Sequence, residues 1–266
     1  MAAQQSATGK IVVIFPLFQI AAMKKHLLLV CAAVSFLVVL SSCRMNTLKG
    51  EGNKTTAAPA LSSFNAIEIE VPLKANITVQ SGSQPGIQMN GYENILKHIK
   101  MTVKDNVLHI TCDLGEMWTI DCDGLTTEIT LPSLTALTLT GAPDADIHGN
   151  MTGGNFKLDI SGATNVIIDN INVDSFVSDV SGAADITVKG GAVKSASYEI
   201  SGAGKVKAFP LQTGETSASI SGAGTSEVTA TTKLTASISG AGTIKYKGHP
   251  SISQEVSGVG TIKDAN

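Results

Sequence analysis

The sequence predicts an all-β chain wound as a parallel β-helix, or β-solenoid, with coils of 18–21 residues. Two observations carry that prediction. A short motif recurs as Leu139-Thr-Gly-Ala, Ile160-Ser-Gly-Ala, Val180-Ser-Gly-Ala, Ile200-Ser-Gly-Ala-Gly, again at Ile220 and Ile238, and last as Val256-Ser-Gly-Val-Gly. Its glycines, Gly141, Gly162, Gly182, Gly202, Gly222, Gly240 and Gly258, are separated by 21, 20, 20, 20, 18 and 18 residues. Self-similarity at such a period marks an array of stacked units. The second observation is alternation: apolar residues lie two apart in pairs such as Val166 and Ile168, Ile186 and Val188, and Ile244 and Tyr246. That is the strand period, and no helical period is sustained.

Within a coil the motif glycine reads as a corner, where positive φ or a neighbouring backbone excludes a Cβ. The preceding hydroxyl reads as a corner residue bonding locally or in a ladder, a structural role that leaves these serines no part in catalysis.

From the N-terminus, residues 1–22 make an apolar stretch with no clear purpose, and Met23 opens a secretory signal. Lys24 and Lys25 form its charged start and Leu27 to Leu40 its apolar centre. We therefore expect translation to begin at Met23, with residues 1–22 as upstream sequence and 23–42 as the signal. The signal closes on Leu40-Ser41-Ser42-Cys43, which resembles a bacterial lipobox. That resemblance implies an acylated Cys43 as mature N-terminus and attachment to the membrane through lipid, since each buried CH₂ contributes ~0.8 kcal/mol. Residues 43–60 are small and polar and are expected to form a flexible tether.

Residues 61–135 alternate less regularly and are expected to cap the solenoid, which needs its apolar end covered. Ile67, Ile69 and Val71 read as one strand, and Ala75, Ile77 and Val79 as the next. Ile87 and Met89 begin a third, and Glu93 to Ile99 carries a weak one-turn helix signal. Met101 and Val103 face Ile110 and Leu108 across Asp105-Asn106, a tight hairpin. Residues 136–266 are the repeats, continuous with 61–135 as one domain.

Beyond Cys43, Cys112 and Cys122 are the only cysteines of the mature chain. Three readings stay open for them: a disulfide, suited to export; a metal site with His109, Asp113, Asp121 and Asp123; or two free thiols. Two residues before the motif hydroxyl, Asp159, Asp179 and Glu199 occupy equivalent positions on successive coils. Stacking at ~4.8 Å would make them an outward carboxylate column able to face a ligand or a divalent cation. The competing reading is a solvated face balanced by Lys157, Lys189 and Lys205.

Composition narrows the function. The mature chain carries 16 basic and 22 acidic residues, a net charge of −6, and Arg44 is the sole arginine. Nucleic acid is thereby excluded as a partner, because phosphate recognition leans on basic side chains and the guanidinium fork. Gly202-Ala-Gly204 and its equivalents follow the solenoid period with no helix after them, so they are no dinucleotide site. The histidines His98, His109, His148 and His249 are scattered, and Tyr198 and Tyr246 make no sugar-binding row. No catalytic residue, metal or cofactor is assigned.

The run from Ile238 through His249-Pro250 to Ile262 resembles the C-terminal signature of the bacterial head GIN domain family, a domain of unknown function labelled putative auto-transporter adhesin. The similarity extends to Phe64–Val79 and to Leu131-Pro132-Ser133-Leu134. It implies a right-handed parallel β-helix in a cell-envelope setting, often as a lipoprotein, and brings no defined site residues. The expected protein is a lipid-anchored, exported, non-catalytic binding or adhesion scaffold of the envelope, on the outer membrane, with a glycan or protein ligand. A purely structural component and a carbohydrate-active enzyme are the rival readings.

Overall fold

The computed structural model describes residues 46–114 and 118–266. Lipidation at Cys43, the signal at 23–42 and the upstream stretch 1–22 lie outside the described residues. The first strands, β1 (Asn46–Leu48) and β2 (Lys54–Ala57), fall where a tether was expected. β1 runs parallel to β8 (Trp118–Ile120), and β2 pairs antiparallel with β5 (Gly86–Tyr92). The side chains of Lys54–Thr56 are exposed. A polar strand covering an edge leaves no apolar period, so its pattern reads as linker.

The chain next makes β3 (Ala66–Ile69) and β4 (Lys74–Val79), one coil of the solenoid. After β5 come the single helical turn α1 (Glu93–Leu96) and the hairpin of β6 (Ile99–Lys104) and β7 (Val107–Cys112). Asp105 and Asn106 both take positive φ, 51° and 64°. That is the backbone of a type I′ turn. It sets Val103 opposite Leu108 and Met101 opposite Ile110, as expected.

β9 (Thr126–Leu131) pairs with β4 on the side away from the repeats, while β7 pairs with β3. The strands next in sequence, β10 (Ala136–Gly141) and the start of β11 (Asp144–Val188), pair with the opposite sides of β3 and β4. The first coil in the chain is therefore second in the stack, held between 107–131 and 136–149. Residues 61–135 supply two coils of the solenoid, with β5, α1 and β6 outside those coils and β2, from the segment before them, paired with β5.

From β11 on the winding is regular. β12 (Ala192–Gly202), β14 (Gln212–Gly222), β16 (Lys233–Gly240) and β18 (Ser251–Gly258) continue one parallel wall. β13 (Lys205–Lys207), β15 (Thr225–Thr229), β17 (Thr243–Lys247) and β19 (Thr261–Asp264) continue the second. The motif glycines pair one above another, and Gly162, Gly182, Gly202, Gly222 and Gly240 have φ of 138–145°. Each carbonyl accepts the N–H of the residue after the next glycine, as Gly182 does from Ala203 at 2.9 Å.

Inside the first wall, columns of aliphatic side chains run the length of the stack. Phe156 and Phe176 stack at 5.6 Å with planes 8° apart, and Tyr198 meets Phe176 edge-on at 5.7 Å. Small residues beside them, Ser178, Ala196 and Ala218, leave room for the rings. Ser178 is fully buried and its hydroxyl has no partner. Desolvating a lone hydroxyl costs more than a methyl in the same place. Ser178→Ala should therefore raise stability by about 1 kcal/mol, read as a higher midpoint in thermal melts. A lower midpoint would show that the hydroxyl has a partner in solution.

Candidate functional site

Asp159, Asp179 and Glu199 do form a column. The ladder places Thr138 beside Asp159, Asp179 beside Glu199, and Glu199 beside Ser219, all outward on the first wall. The positions before β10 continue it: Glu68 precedes Thr138, and His109 precedes Glu68. His109 Nδ1 lies 2.8 Å from Glu68 Oε2, so it joins this column and not Asp113, Asp121 and Asp123. Among the described residues no group of three or more His, Cys, Asp and Glu is placed to hold a metal ion.

Charge along the column is partly balanced. Lys157 Nζ sits 2.9 Å from Asp159 Oδ1 and 3.5 Å from Asp179 Oδ2, spanning two coils. Its bond to Asp159 pushes the ammonium above its ordinary range. Where a divalent ion would need oxygens, Lys157 already supplies the positive charge; Glu199 lies one coil beyond it. Lys189 does not belong to this face: it meets Asp169 at 2.9 Å, on the far side of the corner, where His148 also contacts Asp169 at 3.0 Å. Lys189, and then His148, hold the Asp169 carboxyl below its usual range.

Two shallow grooves cross the strands of this wall, running parallel to the stacking direction. One, of about 300 Å³, lies between the carboxylate column and the serines Ser161, Ser181 and Ser201. The other, of about 290 Å³, lies between Ser175, Ser195, Glu215 and Lys233 on one side and Ser197, Ser217 and Thr235 on the other. The motif serines are exposed along the rim. They are thus available to a ligand, which the reading of them as corner residues did not bring out. Such a surface can offer donors and acceptors at each coil, about every 4.8 Å.

Other expected features fall elsewhere. Cys112 and Cys122 are both free and partly buried, the third of the readings left open for them. Cys112 is held opposite Ile99 in the β6–β7 hairpin, whereas Cys122 lies beyond β8 in the turn before β9. Burial, then the nearby Cys112 and Asp121, pushes the Cys122 thiol up to about 12, which leaves it protonated and a poor nucleophile at neutral pH. Tyr198, which with Tyr246 made no sugar-binding row, is 2% exposed and belongs to the core. Burial raises its phenol as well.

Residues 63–250 match a protein-family model described as "Putative auto-transporter adhesin, head GIN domain". A solved structure of a putative adhesin from Bacteroides fragilis NCTC 9343 is 27% identical, with a TM-score of 0.77 over 82% of this chain and 100% of that one. A putative adhesin from Parabacteroides merdae ATCC 43184 is 24% identical, with a TM-score of 0.67 over 83% of this chain and 100% of its own. A protein described as a putative lipid binding protein, from Parabacteroides distasonis ATCC 8503, is 23% identical with a TM-score of 0.65 over the same shares. The last two show a common fold. No curated protein matches the sequence.

Proposed function

The chain belongs to the head GIN domain family of putative auto-transporter adhesins, and from that premise we propose that it is an exported, lipid-anchored envelope protein whose first wall binds an extended ligand without catalysis. One observation carries the reading: carboxylates and hydroxyls stand in register on successive coils along two grooves. A ligand that repeats along its length, such as a glycan, can meet the same chemistry at each step, and multivalent contact raises the affinity of individually weak sites. The carboxylates of the column stand side by side on an open wall, two of them already paired with Lys157, and do not face each other across a cleft that could hold a sugar ring between them, which favours recognition over glycoside cleavage.

Screening the full chain against immobilised glycans and matrix proteins tests the reading. Binding should fall at least tenfold when Asp159→Asn, Asp179→Asn and Glu199→Gln are combined, about 1.4 kcal/mol or more. A folded, surface-exposed chain that binds nothing, or whose ligand ignores these substitutions, would end the proposal.

The anchor is tested separately. Cys43→Ser should remove fatty-acid labelling and shift the protein from membrane to soluble fractions. No helix among the described residues is long and apolar enough to cross a membrane. A Cys43→Ser chain that stays in the membrane would place the attachment elsewhere.

A further inference from the structure

The two ends of the stack are finished differently. At the N-terminal end the outer strands β2 and β6 carry Lys54, Lys100 and Lys104, charges that discourage strand addition to an edge. At the other end β19 carries Lys263, but β18 has no lysine, and it is exposed from Ser251 to Gly258. Ile252 and Val256 continue the inward columns of Leu234 and Ile238, yet they are 43% and 44% exposed. At the corner, six coils place alanine after the motif glycine; the last places Val259, which is 83% exposed.

We infer that this edge joins a second copy of the chain, tail to tail, with β18 antiparallel to β18 of the other copy about a two-fold axis at Gln254. The backbone is poised for it. Ser251 and Val259 donate their N–H groups back to Thr232 and Gly240. Alternation then turns the N–H and C=O of Ile252, Gln254 and Val256 toward the open edge. The sequence Ser251-Ile-Ser-Gln-Glu-Val-Ser257 is close to a palindrome about Gln254. In this register Ile252 meets Val256 of the other copy, Gln254 meets Gln254, and Glu255 meets Ser253. Centring on Glu255 sets like charges opposite each other, and centring on Ser253 sets Ile252 against Gln254; both are poorer pairings. Head-to-tail stacking would bring β18 against the lysine-bearing strands, so the contact closes as a dimer and does not propagate.

Sedimentation of the full chain should show a dimer that Val256→Lys abolishes, while the variant still melts cooperatively with a midpoint that, unlike the parent's, does not rise with protein concentration. Under mild oxidation Gln254→Cys should give an interchain disulfide beyond the background of the unsubstituted chain. Ile252→Cys should not, since its own mate lies four residues away in this register. A monomeric unsubstituted chain, a dimer that survives Val256→Lys, or a Gln254→Cys chain that fails to crosslink would each overturn the inference.

Discussion

Gly202→Ala is expected to destabilise the solenoid by about 3 kcal/mol or more, a loss out of proportion to one methyl group. Two costs combine. At φ +145° the backbone lies in a region essentially reserved for glycine, and holding alanine there costs roughly 1–3 kcal/mol. The added Cβ would also run into the carbonyl oxygen of Gly182 one coil away. That oxygen is fixed, because it accepts the Ala203 N–H at 2.9 Å. Relief requires the coils to part, which weakens ladder hydrogen bonds worth about 1 kcal/mol each. Alanine also restricts the unfolded chain, but that gain is only about 0.4–1 kcal/mol. Gly154 supplies the control: its φ is ordinary and nothing lies within 4 Å of a Cβ there. Gly154→Ala should stay within about 0.5 kcal/mol of the parent. At roughly 2–4 °C per kcal/mol for a domain of this size, thermal melts separate the two variants. Equal shifts would remove the corner argument.

The same steric rule explains why the repeats were legible in the sequence. A position that tolerates only glycine must reappear once per coil, so seven glycines exposed the period, and the period put Asp159, Asp179 and Glu199 in one column. Tyr198 was legible too, though by another signal: it stands two residues before inward Ile200, and strand alternation sends it inward. The order of coils at the N-terminal end had no such signal. β3 is flanked by β7 and β10, which lie far from it in sequence, and nothing local in Ala66–Ile69 distinguishes one parallel neighbour from another. β2 was missed because its exposed polar side chains carry only edge pairing, and the state of Cys112 and Cys122 stayed open because a cysteine count does not distinguish a bonded pair from two neighbouring thiols.

Phe176→Ala should be as damaging as the glycine variant, at about 3–5 kcal/mol, for a different reason. Phe176 is completely buried and is the middle ring of three, stacked on Phe156 and met edge-on by Tyr198. Removing it takes away a ring partner from both neighbours and opens a hole in the column. The adjoining residues cannot fill it: Ala196 and Ser178 are small, and their backbones are fixed by the ladder above and below. A solenoid wall is continuous hydrogen-bonded sheet, so it relaxes toward a cavity less freely than packed helices could, and the loss should lie at the upper part of that range. Phe176→Leu keeps much of the volume and should cost less than Phe176→Ala. Denaturant unfolding of the two variants reads the difference directly. If alanine cost no more than leucine, the coils would be closing over the gap, and the rigidity invoked for the glycine corners would fail with it.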